Sequence, residues 1–115
     1  MRLGHLELFV RNPLQAKDFY TRALGFEVVV EQGEATWLRA GALEILLRPG
    51  RKAPEPATYA EASTGHVLYT DDLEGTASRL RECGVEFGAT DGSDRCLTFA
   101  DPDGNWFQLV DPTEH

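Results

Sequence analysis

The chain's second half repeats the plan of its first, and that repetition narrows what it can fold into. Near the C-terminus it reads Asp101-Pro102-Asp103-Gly104-Asn105-Trp106-Phe107-Gln108-Leu109-Val110-Asp111-Pro112. Earlier it reads Gly41-Ala42-Leu43-Glu44-Ile45-Leu46-Leu47-Arg48-Pro49. Each stretch runs from a glycine through a short apolar segment to a proline eight positions on. Asp-Pro-Asp-Gly is turn chemistry, because proline presets φ and glycine accepts a positive one. The apolar segments are strands, since proline stops each too soon for a helix.

In chain order, Leu6, Leu8 and Val10 alternate with His5, Glu7 and Phe9, the pattern of a strand with one face in the core. Asn12-Pro13 opens a helix as cap and first residue, Ala16, Phe19, Tyr20 and Ala23 recur at helical spacing, and Gly25 ends it. Segments 26–30, 35–40 and 43–47 read as strands separated by turn residues. Residues 49–63 are proline-rich and polar, a linker or flap. The pattern then restarts: strand 66–69, a helix from Asp71 or Asp72 to Gly84, an echo of Phe26-Glu27-Val28 in Val85-Glu86-Phe87, and strands at 95–100 and 105–110. The predicted fold is α+β: two tandem β-α-β-β-β modules in one domain spanning 1–115, at about 2–48 and 64–112, with curved mixed sheets and outer helices, 13–24 and 72–83. Neither module can bury its sheet alone, so the two must pair.

A chain of 115 residues buries about two-thirds of its unfolded surface. Its 42% hydrophobic and 26% charged content is that of a soluble globular chain, and no apolar run reaches the length of a membrane span. The N-terminus lacks a signal peptide's apolar core. A net charge of −8 argues against nucleic acid and anionic membranes as partners. Two cysteines, Cys83 and Cys96, without metal-knuckle or disulfide spacing, fit a reducing cytoplasm.

The doubled unit carries His-Leu-x-Leu-x-Val at 5–10, Phe-Tyr-x-x-x-Leu-Gly-Phe at 19–26 and Asp-Pro-Asp-Gly-Asn at 101–105. In these motifs the chain resembles the vicinal oxygen chelate superfamily, which includes glyoxalase I, extradiol dioxygenases, fosfomycin-resistance transferases and bleomycin-binding resistance proteins. The resemblance covers about residues 3–112. It implies a divalent metal (Zn, Ni, Mn or Fe) held by residues on the first and last strands of each module. By position these are His5, Ile45, His66 and Gln108, when Gly41 is matched to Gly104. Ile45 cannot bind metal, which leaves His5, His66 and Gln108, with glutamine where the dioxygenase-like arrangement has glutamate. The same matching turns Glu44 away from the site. Glu7, on the face of His5, is a candidate base, a partner orienting His5, or a further ligand. The family's small members usually complete their sites by pairing chains, so the resemblance also implies a homodimer and leaves open which chain supplies each residue.

Two tryptophans bear on ligand binding. Trp106 shares the Gln108 face, and Trp37 shares a face with Arg39. Facing a concave wall, they would stack on a flat ligand, with Arg39 for an anionic group and Thr98 on the same wall; packed in the core or at a dimer interface, they would serve structure alone. Two functions follow. One is a metal-dependent lyase, isomerase or dioxygenase-like enzyme acting on a small oxygen-rich molecule, its substrate oxygens chelating the metal. The other is a protein without chemistry that sequesters a small planar compound between Trp37 and Trp106.

Overall fold

The computed structural model describes residues 1–50 and 55–114. The chain divides into two units, Met1–Ala53 and Pro54–His115. In the first, strand β1 (Leu6–Val10) leads into helix α1 (Pro13–Arg22), followed by β2 (Glu27–Gln32), β3 (Ala35–Ala40) and β4 (Leu43–Pro49). The order in the sheet is β1-β4-β3-β2, with β1 parallel to β4 and the other pairs antiparallel. The Asn12 side chain accepts from the amides of Leu14 and Gln15, Pro13 follows the cap, and α1 buries Ala16 and Tyr20 on the β3–β4 side of the sheet. Leu8, Val10, Leu38, Ile45 and Leu47 are the buried apolar sheet residues of this unit, with Thr36 buried beside them.

The second unit opens with a short 3₁₀ turn, Tyr59–Glu61, then β5 (His66–Tyr69), α2 (Leu73–Glu82), β6 (Leu97–Ala100) and β7 (Trp106–Val110). Here β5 is parallel to β7 and β6 antiparallel to it, giving the order β5-β7-β6. Asp72 caps α2 through the Gly75 amide, and the helix buries Leu73, Ala77 and Leu80. Both helices end before a glycine at positive φ, Gly25 at 72° and Gly84 at 93°.

The expected modules differ in one respect. The first has all four strands. The second replaces the strand after its helix with irregular backbone, joined to β6 by an isolated Phe87–Phe99 bridge and by the Gly88 amide donating to the Thr98 carbonyl. The composition explains this: Glu27–Gln32 carries three consecutive valines, whereas 88–94 carries two glycines and two aspartates, which favour turns. The core face of the second sheet is aromatic, with Phe99 and Phe107 stacked at 5.4 Å and both fully buried.

The linker expected at 49–63 is partly structured. Residues 51–54 lie outside the described residues. Beyond them the Trp106 indole donates to the Pro56 carbonyl at 2.8 Å, and the Tyr59–Glu61 turn packs on β6 and β7. Arg95 ties the C-terminal end to α2, pairing with Glu74 and with Glu114 and holding both carboxyls below their usual range. Among the described residues, no helix is long and apolar enough to cross a membrane.

Candidate functional site

Register decides which side chains meet. In the first unit Glu7 stands beside Leu46, and Leu46 beside Trp37. Neighbours across a sheet share a face, so Glu7, Leu46, Trp37, Arg39 and Glu44 lie together, opposite the buried Leu8, Leu38, Ile45 and Leu47. Two expectations are corrected here. Ile45 faces the core, and Glu44 is on the same face as Glu7.

On that face the His5 Nε2 donates to Glu7 at 2.8 Å, because a carboxylate can only accept. Glu7 accepts a second bond from Arg48 at 2.9 Å. The His5 and Arg48 bonds hold the Glu7 carboxyl below its ordinary range. The His5 ring meets Trp37 edge to face at 4.7 Å, and the Trp37 indole N–H donates to Gln32. Arg39, expected to await an anion, lies 3.9 Å from each of the carboxylates of Glu27 and Glu44. Its charge is already compensated.

In the second unit His66 stands beside Phe107, and Gln108 beside Val67. His66 and Gln108 are therefore on opposite faces of one sheet. The expected convergence of these two side chains does not occur. The His66 Nδ1 donates to the Trp106 carbonyl at 2.9 Å, and its ring lies 5.1 Å from Phe107.

The caps account for the error. His5 precedes the cap Asn12 by seven residues, whereas His66 precedes the cap Asp72 by six. The residue seven before Asp72 is Gly65, so Gly65 is the counterpart of His5 and His66 the counterpart of Leu6. Strand pairing agrees, since Leu8 meets Leu47 and Leu68 meets Leu109. On this count Gln108 matches Leu46, one position from where the glycines had placed it. A Cβ at Gly65 would run into the Tyr59 hydroxyl, so the counterpart position is filled by a phenol from the linker.

The Gln108 face has a distinct chemistry. Val67, Tyr69, Cys96, Gln108, Val110 and Pro112 line a cavity of about 400 Å³. Val67 and Tyr69 are exposed, while Gln108 is 9% exposed and its amide nitrogen donates to Asp91 at 2.6 Å. Thr98 stands beside Gln108 and donates to the Ala89 carbonyl. Trp106 is also on this face, half-buried, its ring against Gly88 and its N–H held by Pro56. Burial and the nearby Asp91 carboxylate push the Tyr59 phenol up. Neither Asp91 nor Tyr59 stood out in the sequence. Asp91-Gly92 reads as an ordinary turn, and Tyr59 sits in a polar linker.

A divalent metal does not fit the predicted set. The second unit gives its cavity face one amide and no imidazole, and the His5 Nε2 is protonated toward Glu7. Among the described residues, no three histidine, cysteine, aspartate or glutamate side chains gather where an ion could be held.

Comparison with known proteins shows the family and the fold. The family model described as Glyoxalase/Bleomycin resistance protein/Dioxygenase superfamily matches residues 2–109. A catechol-2,3-dioxygenase of Bacillus subtilis (strain 168) is 28% identical over 102 residues, 81% of this chain, which spans only 36% of that protein's length. The crystal structure of TnmS3, an antibiotic binding protein from Streptomyces sp. CB03234, is 25% identical with a TM-score of 0.70, covering 96% of this chain and 98% of that one. The fosfomycin resistance protein FosX of Listeria monocytogenes, complexed with Mn(II) and sulfate, has a TM-score of 0.80, covering 96% of this chain and 89% of that one. At 16% identity it shows a shared fold alone.

Proposed function

The chain belongs to the Glyoxalase/Bleomycin resistance protein/Dioxygenase superfamily, and on that footing we propose that it binds a small, flat, largely apolar compound without transforming it. One observation carries this reading. The face where the second unit would present a metal-binding pair instead presents a cavity lined by Val67, Val110, Pro112, Tyr69 and Cys96, with a single buried amide. A cavity of about 400 Å³ is within the usual range for small-molecule sites, which are mostly apolar with a few placed polar groups. The similarity to an antibiotic binding protein over almost the full length of both chains supports binding as the activity.

Metal-dependent catalysis was the competing expectation, with His5, His66 and Gln108 as ligands. Superfamily membership keeps a divalent metal in view, but the donor set argues against chelation at this cavity, and no reaction step is assigned to these side chains. Glu7, the candidate base, already accepts hydrogen bonds from His5 and Arg48.

Pairing of two copies in the cytoplasm belongs to the same reading. Strand β2 is a sheet edge exposed along its whole length, including Val28, Val29 and Val30, and an exposed apolar edge strand invites pairing. Light scattering should give twice the monomer mass; a monomer at micromolar concentration would remove this part.

The direct test is titration of 1-naphthol into isotopically labelled protein, followed by amide chemical shifts. Shifts at Val67, Gln108 and Val110 are expected. Saturating probe without shifts at these residues, together with one-to-one Mn(II) uptake by calorimetry, would replace binding with the metal-dependent reading.

A further inference from the structure

The polar end of the cavity has chemistry of its own. Gln108 is nine-tenths buried and projects from the middle of β7 into a lining of Val67, Val110 and Pro112 with Tyr69 and Cys96. Its amide could face Asp91 in two ways, and chemistry allows one. The carboxylate only accepts, so the NH₂ group must point to it, as the 2.6 Å contact from Nε2 requires. The opposite end of the amide is then a fixed carbonyl oxygen. Among the described residues no side chain donates to it.

Asp91 adds a second property. It is exposed, and among the described residues no lysine, arginine or histidine pairs with it. Its backbone amide is anchored to the Cys96 carbonyl at 3.0 Å, so the turn that carries it is tied to the cavity wall. A negative charge thus sits immediately behind the buried amide, and the whole chain carries −8. An acceptor oxygen backed by an uncompensated carboxylate is complementary to a donor, most of all a cationic one.

We infer that Gln108 and Asp91 form a recognition end that selects ligands bearing a hydrogen-bond donor, with protonated amines preferred over neutral donors and anions rejected. This rests on the binding function proposed above and names the chemical class of its ligand. The Arg39 face is not the selective element, because Glu27 and Glu44 flank that guanidinium.

Three probes with one ring system test it: 1-naphthylmethylamine, 1-naphthol and 1-naphthylacetate, titrated at pH 7 in low salt. The amine should bind about tenfold more tightly than the acetate, as expected for a charge-assisted hydrogen bond near the surface. Asp91→Asn should bring amine and naphthol affinities together, and Gln108→Leu should weaken both while leaving the acetate unchanged. Thermal melts report whether each variant is folded. With wild-type protein alone, added salt should weaken the amine and leave naphthol unaffected. Acetate binding as tightly as the amine, or amine binding indifferent to salt, overturns the selectivity and leaves the binding function standing. Failure of all three probes overturns both.

Discussion

The Tyr59 hydroxyl occupies the space that a side chain at Gly65 would need. Gly65 is the counterpart of His5, so a linker residue covers the position where the second unit would repeat the first. This contact predicts a coupling. Gly65→Ala should cost about 1–3 kcal/mol of stability through overpacking, and much less in a Tyr59→Ala background, where the obstruction is gone. Urea unfolding of the four proteins measures it. Equal costs in both backgrounds would disprove the contact.

The same substitution should change a titration. Burial, and secondarily Asp91, raise the Tyr59 phenol above its ordinary 10.0. Displaced by Gly65→Ala, the phenol should titrate at lower pH than in wild type. Ultraviolet difference titration against Tyr59→Phe isolates the signal, and an unchanged midpoint would mean that Tyr59 does not move.

His66 should behave as a structural residue. His66→Ala should leave Mn(II), Ni(II) and Zn(II) binding as it is in wild type and lower stability by about 1 kcal/mol for the lost bond to the Trp106 carbonyl. Calorimetry and denaturant unfolding read the two effects separately. Stoichiometric metal binding that disappears with His66 would contradict the register described above.

Glu7 sets the acid side of the first unit. Its folded pKa lies below the ordinary 4.5, first through His5 and then Arg48. A depressed carboxylate stabilises the fold above its unfolded pKa, and this contribution is lost as pH falls through the folded value. His5→Ala should raise the Glu7 midpoint toward 4.5 more than Arg48→Ala does, by side-chain carboxyl NMR. The reverse order would make Arg48 the principal partner.

In the core, Phe99 stacks on Phe107 and meets Phe87 edge to face. Phe99→Ala should cost about 3–5 kcal/mol, because the site between Phe87 and Phe107 cannot collapse around the void. A cost below about 1 kcal/mol would mean that the aromatic stack does not hold the unit together.

Local signals alone determined the helices and most strands. Asn12-Pro13 and Asp72 mark helix starts, the glycines mark their ends, and Leu6, Leu8 and Val10 declare a core face, because caps, turns and alternation act over a few residues. The motifs were sufficient to indicate the family. The missing strand after α2 was also written locally, in the glycines and aspartates of 88–94. The site was different. Matching His5 to His66 rests on residue type, yet one fewer residue between His66 and its cap flips that side chain to the other face, since strand periodicity is two. The cap count was available in the sequence, but strand pairing was needed to make it binding: His66 beside Phe107, Gln108 beside Val67. Nothing local foretold Tyr59 over Gly65 or Asp91 on Gln108. Those contacts join a linker and a turn to the sheet across 6 and 17 residues of chain, and the folded backbone alone brings them together.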